Sequence, residues 1–167
     1  PPGLWNELTG GSTSNSLKRY IMSKEGNQYR RSLYTYWKRT VPPPGMITFD
    51  ASTRDYCAVE RQKTSTPLQS LVLMNDPQVQ NAAKALASLL LAEENSSDKD
   101  RIIVMYRRIT GRKPTKKALS KLMDYLHHCE AHHQERNEES GKNDIKTKAF
   151  TALALLLYNL DETSQKS

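Results

Sequence analysis

Five stretches of this chain place apolar residues three or four positions apart, the period of a helix with one buried stripe. "NQYRRSLYTYWKRT" carries Tyr29, Leu33, Tyr36 and Trp37 on such a stripe, which predicts a first helix ended by Pro42, Pro43 and Pro44. A proline lacks the N–H of a continuing turn and clashes with it. "GMITF" then reads as an extended connector. Further on, Val79, Ala82, Ala83, Leu86, Leu89 and Leu90 mark one amphipathic helix. Ile102, Met105, Tyr106 and Ile109 mark another. Leu119, Leu122, Leu126 and Cys129 mark a third. Ala149, Leu153, Leu156, Leu157 and Leu160 mark a last one, expected from Ile145 to Leu160.

Polar punctuation sets the boundaries. Thr66 followed by Pro67 and Gln69 is a capping box with proline at the first helical position. Asp76 followed by Pro77 repeats the device, so two helices meet at Asn75, expected to turn in a left-handed conformation. Ser52 with Asp55 predicts a further short helix in "DASTRDYCAVERQ". Gly111 is a C-cap, and Thr115 opens the helix after it. Residues 1–27 are Gly/Ser/Thr/Pro-rich at their start and read as an extended arm, with Leu4, Trp5 and Leu8 available to dock on the body and "LKRYIM" as a short strand. The expected fold is an all-α, irregular bundle of about six or seven helices with an extended N-terminal arm. It is one domain over residues 1–167, a length that suits a single sizeable core.

Composition narrows the function classes. The longest apolar runs, Ala82–Ala92 and Ala149–Leu160, fall short of the ~20 residues of a membrane span. The chain opens at Pro1 without an initiator Met or a signal peptide, and is expected to be the C-terminal piece of a longer protein. A net charge of +7 invites a nucleic-acid reading. The basic residues, however, fall in small pairs such as Arg30–Arg31, Arg107–Arg108 and Lys116–Lys117, so nucleic acid is not the expected partner. Cys57 and Cys129 form neither a disulfide framework nor a zinc spacing.

"HHCEAHH" holds all four histidines, His127, His128, His132 and His133. His128 and His132 stand at i, i+4, a spacing that places two ligands on one metal, with Asp124 one turn earlier. A surface pair with no further ligand is the plainer reading, so no metal site is expected. Tyr29, Tyr34, Tyr36 and Trp37 suggest a stacking platform for sugars or bases, but three of them share the packing stripe and leave Tyr34 as the ligand candidate. Asp50, Arg54, Asp55, Glu60 and Arg61 form a dense charged group. Acid–base or glycosidase chemistry would use such carboxylates; capping and ion pairing explain them more simply. Asp161 and Glu162 close the last helix with no evident partner. No Gly-x-Ser-x-Gly, Ser-x-x-Lys or phosphate-loop frame is present, and no catalytic residue is assigned.

The block "YRRSLYTYWKRTVPPPGMITFDASTRDYCAVERQKTSTPLQSLVLMNDPQ", with "PPGLW", "RRITGRKPT" and "LLLYNLDET", resembles a planctomycete-type C-terminal domain of unknown function. The resemblance runs from near Leu4 to near Thr163. It implies a domain that closes large exported bacterial proteins, periplasmic or at the cell surface, which also carry a cytochrome-c-like domain. Haem would belong to that partner domain, since this chain lacks Cys-x-x-Cys-His. The expected role is a non-catalytic module that scaffolds or packs against the other domains of its polypeptide. Two alternatives stand beside it: a contribution to a polysaccharide-directed hydrolase or redox site, and a carbohydrate-binding surface.

Overall fold

The computed structural model describes residues 30–35, 37, 42–52, 57, 59–60, 64–93, 96–136 and 141–164. The backbone divides into two compact units, residues 1–64 and 65–167. The expected arm, its docking residues and the "LKRYIM" strand lie outside the described residues.

Within the first unit the described residues depart from the expected pattern. Among the described residues of the expected first helix, Ser32–Tyr34 forms a single 3₁₀ turn between extended Arg31 and Thr35. Leu33 is 79% exposed, so it is not on a packing stripe. Tyr29 and Tyr36 lie outside the described residues. Aromatic and β-branched residues lose χ1 freedom against a preceding helical turn, and this segment is dense in them. The supposed connector is instead a helix, α1, Pro44–Thr48. The proline that would stop a helix before it is well placed to start one, its fixed φ suiting the first helical position. Thr48 Oγ1 donates to Pro44 O at 2.9 Å within it. The helix expected after Ser52 is absent at Ala51, Ser52, Cys57, Val59 and Glu60; Asp55 lies outside the described residues.

The second unit is the helical bundle. α2, Pro67–Asn75, opens with the capping box: Thr66 Oγ1 accepts from Gln69 N at 3.4 Å, and Gln69 Oε1 from Thr66 N at 3.3 Å. α3, Pro77–Leu91, opens with Asp76 Oδ1 accepting from Gln78 N at 2.7 Å and Val79 N at 3.4 Å. Asp76 therefore ends one helix and caps the next. It does so in an extended conformation, φ −68° and ψ 124°. Asn75 is the last residue of α2, not a left-handed hinge, and its Nδ2 donates back to Leu71 O at 2.8 Å. Pro77 accounts for the difference: the residue before a proline is pushed towards extended conformations, so the bend falls at Asp76.

α4, Asp98–Thr110, is capped by Ser97, whose Oγ accepts from Asp100 N at 3.2 Å, and ends at left-handed Gly111, φ 76°. α5, Lys116–Arg136, begins where Thr115 Oγ1 accepts from Ala118 N at 3.2 Å. α6, Lys142–Tyr158, ends at Asn159, and a last turn, α7, Asp161–Ser164, follows instead of a continuous helix. The change of direction is local. Leu160 N turns back to Leu157 O at 3.3 Å, and Asn159 Nδ2 donates to Leu155 O at 2.9 Å.

α6 is the centre. It touches α2, α3, α4, α5 and α7, and packs most extensively on α3. Ala149, Phe150, Leu153, Ala154 and Leu157 are fully buried on it, wider than one stripe because neighbours lie on more than one side. Ala83, Ala87 and Leu90 of α3, Ile102 and Met105 of α4, and Leu126 of α5 complete the core. Buried alanines on both α3 and α6 let those backbones approach closely. Each large side chain here contributes about 1.5–3 kcal/mol by leaving water. Ala82 and Leu89, expected to face inward, are exposed; Ala87 takes the buried position in their place. The all-α fold is as expected from the pattern.

Candidate functional site

The described candidate residues are taken each where it lies. Asp50 adopts a left-handed conformation, φ 55°, just after α1. Its carboxylate accepts from Thr64 N at 2.7 Å and from Thr64 Oγ1 at 2.8 and 2.9 Å. That arrangement closes a fourteen-residue loop on itself, using charge-assisted bonds at the carboxylate oxygens. Glu60 is exposed, and Arg54, Asp55 and Arg61 lie outside the described residues. A hydrolytic pair would need a second carboxylate across an open site, whereas these bonds of Asp50 run to Thr64.

Tyr34 is 69% exposed, beside exposed Arg30, Arg31 and Leu33. Trp37 is half-buried.

On α5, His127, His128 and His132 are exposed, and His133 is half-buried. His127 Nδ1 lies 3.6 Å from Glu130 Oε2. The rings of His132 and His133 meet edge to face at 5.7 Å. Successive residues on a helix diverge by about 100°, so His133 points away from the face that His128 and His132 share. Asp124 is exposed one turn before His128. Among the described residues no three His, Cys, Asp or Glu side chains are placed to hold a metal ion together. Cys129 turns to the core instead, next to Tyr125, whose hydroxyl is held above its usual range by burial and by that thiol. Cys57 and Cys129 are both free.

The densest polar arrangement escaped the motifs. Arg101 is nearly buried and uses three nitrogens at once: Nε donates to Leu90 O at 3.1 Å, Nη2 to Glu93 O at 2.8 Å, and Nη1 to Asp98 Oδ1 at 2.9 Å. Lys146 of α6 meets the same Asp98 at 3.0 Å. Burial alone would raise the Asp98 carboxyl. The hydrogen bonds and charges of Lys146 and Arg101 outweigh it and hold the group below the usual carboxylate range. This cluster joins α3, α4 and α6. Asp161, expected to be alone, accepts from Ser65 Oγ at 3.5 Å, which ties α7 to the start of α2. No helix among the described residues is long and apolar enough to cross a membrane.

One face is unused by the bundle. Leu68, Leu71 and Met74 fall at i, i+3 and i+6 on α2 and are 55%, 54% and 47% exposed. Their spacing places them on one side of the helix, opposite buried Gln69 and half-buried Val72 and Leu73.

Residues 3–126 match the family described as PSD1, a protein of unknown function (DUF1553). The match takes in the central block, the capped corner at Asp76 and "RRITGRKPT"; "LLLYNLDET" lies beyond it. No curated protein and no solved structure matches the chain.

Proposed function

The chain belongs to the DUF1553 family, and from that premise we propose that it is a non-catalytic helical module that packs against another domain of a longer, exported bacterial polypeptide. The observation that carries the reading is the outer face of α2. Leu68, Leu71 and Met74 stand exposed on a helix whose start is fixed by the Thr66 capping box and whose end is fixed by Asp76. A rigidly held apolar stripe in water is costly unless a partner covers it, and such patches mark interaction surfaces. The resemblance to exported proteins with a cytochrome-c-like domain supports a haem-bearing neighbour, in which case the haem chemistry belongs to that neighbour. The polar groups support the same reading, since Asp50, Asp98, Arg101 and Lys146 are engaged in holding the fold.

The test is a triple substitution, Leu68→Asp with Leu71→Asp and Met74→Asp, made in the 167-residue chain and in the full polypeptide. In the 167-residue chain it should leave the melting temperature within about 2 °C, because exposed positions contribute little to stability. In the full polypeptide it should open the junction to limited proteolysis. Unchanged proteolysis there, or substrate turnover by the 167-residue chain alone, overturns the proposal.

A further inference from the structure

The charge of this chain is concentrated at one end of the bundle. Residues 101–123 contain eight Lys and Arg and no Asp or Glu, a net +8. The other 144 residues contain seventeen Lys and Arg and eighteen Asp and Glu, a net −1. Arg101 is consumed by Asp98 and the α3 carbonyls. The remaining seven are Arg107 and Arg108 in the last turns of α4, Arg112 and Lys113 in the connection, and Lys116, Lys117 and Lys121 in the first turns of α5. All seven are exposed, and none pairs with a carboxylate among the described residues. In the linear sequence they are separate small pairs. The turn at Gly111 brings them to the same end of the α4–α5 hairpin.

Much of this arrangement works against the fold. Cations suit the C-terminal end of a helix, as Arg107 and Arg108 do on α4. Lys116 and Lys117 occupy the first turn of α5, where the dipole favours anions, and no acidic residue accompanies them. α4 and α6, by contrast, carry Asp98, Asp100 and Asp144 in their first turns. Seven uncompensated cations on one end also repel one another. A charged surface that costs stability and has no carboxylate partner among the described residues is one kept for a ligand of opposite charge.

We propose that the α4–α5 hairpin binds an acidic glycan, a slender chain of sulfated or carboxylated sugars. Charge complementarity identifies the class. Within residues 101–123 no large apolar or aromatic side chain is exposed, and Tyr106 is buried. The hairpin thus offers neither a stacking platform for unpaired bases nor an apolar wedge for a bilayer. Residues 65–100 and 124–167 carry seven basic and thirteen acidic residues, with exposed Asp124 only one turn beyond Lys121. A rigid duplex laid across the hairpin would overrun onto this acidic remainder. A thin, flexible polyanion can follow the hairpin alone. An open depression of about 320 Å³ lined by Val104, Arg107, Arg108 and Gly111 offers a seat for one acidic group. There, two planar guanidiniums can each hold a sulfate or carboxylate through paired N–H donors.

The probe is a fluorescein-labelled heparin oligosaccharide, titrated with the whole 167-residue chain by fluorescence anisotropy. Binding should be present at about 50 mM salt and weaken by about tenfold or more at 200 mM. Arg107→Glu with Arg108→Glu, and Lys116→Glu with Lys117→Glu, should each weaken it by about tenfold or more. Lys84→Glu with Lys99→Glu changes the net charge equally, away from the hairpin, and should shift it by less than about twofold. The Lys116/Lys117 variant should also melt at the same or a higher temperature, which separates lost binding from lost folding. Absence of heparin binding at low salt overturns the proposal, as does an equal loss in the Lys84/Lys99 variant. So does tighter binding of a random-sequence duplex DNA, or of vesicles rich in phosphatidylglycerol, than of heparin.

Discussion

Lys146 Nζ lies 3.0 Å from Asp98 Oδ2, joining the central helix α6 to the first turn of α4. The contact spans 48 residues of sequence, and Arg101 holds the same carboxylate from its other side. Asp98 titrates below its ordinary value of 3.8 in the folded chain. A lowered carboxyl favours the folded state above the unfolded pKa, and that contribution disappears as pH falls through the folded value. Asp98→Asn should therefore cost about 1 kcal/mol at neutral pH, the range of a part-exposed charged contact. Its cost should shrink as pH falls below about 3.8. Urea melts of both proteins across pH 2–7 measure this, and a cost that stayed constant would contradict the ion-pair account.

Arg101 has a second role that the ion pair does not cover. Its donors to Leu90 O and Glu93 O satisfy carbonyls at the end of α3, which lie past the reach of that helix's own N–H groups. Arg101→Ala should cost about 2–3 kcal/mol, because it leaves those groups and Asp98 with fewer partners. Arg101→Lys should recover less than half of that, since a point charge cannot reproduce a planar three-way donor set. Chemical denaturation of the two variants gives the comparison directly.

The helix boundaries were legible because they are local. Thr66 to Gln69 and Asp76 to Val79 each span three residues, so the pattern contains both partners. The facing of α3 was not legible. In "NAAKALASLLL" apolar residues cover more than half the circumference, and only the position of α6 selects Ala83, Ala87 and Leu90 over Ala82 and Leu89. The apolar periodicity expected at Leu33 was misleading for a related reason: a stripe shows what a helix would bury, not whether a helix forms. The Arg101 cluster was invisible because two of its acceptors are main-chain carbonyls, which no side-chain motif records. The basic hairpin was visible only as scattered pairs until the Gly111 turn brought α4 and α5 together.

The corner between α2 and α3 separates two kinds of cap. Thr66→Ala removes one acceptor and should cost about 0.5–1 kcal/mol. Asp76→Ala removes the acceptor of both Gln78 N and Val79 N and should cost more, about 1–2 kcal/mol. Asp76→Asn should restore most of it, as Asn caps comparably. Thermal melts of the three variants test the order, and an Asn variant as weak as Ala would mean the charge at Asp76 matters more than its oxygen.

Phe150 and Leu33 make opposite predictions from similar apolarity. Phe150 is fully buried at the centre of the bundle, and Phe150→Ala should cost about 3–5 kcal/mol by transfer and cavity terms. Leu33 is mostly exposed, and Leu33→Ala should stay within about 0.5 kcal/mol. A large cost at Leu33 in the same denaturation assay would restore the packing stripe that the sequence pattern suggested.

Gly111 isolates conformation from packing. A side chain there meets nothing within 4 Å, yet φ is +76°, a region that a β-carbon disfavours. Gly111→Ala should therefore cost about 1–2 kcal/mol from backbone strain alone. Gly111→Asn should cost less, since Asn tolerates the left-handed region. The turn also sets the relative placement of Arg107, Arg108, Lys116 and Lys117. Gly111→Ala should accordingly weaken heparin binding more than Gly111→Asn does, with both measured well below their melting temperatures. Equal binding by the two variants would mean that the seven cations act as a diffuse charge and not as a surface shaped by the turn.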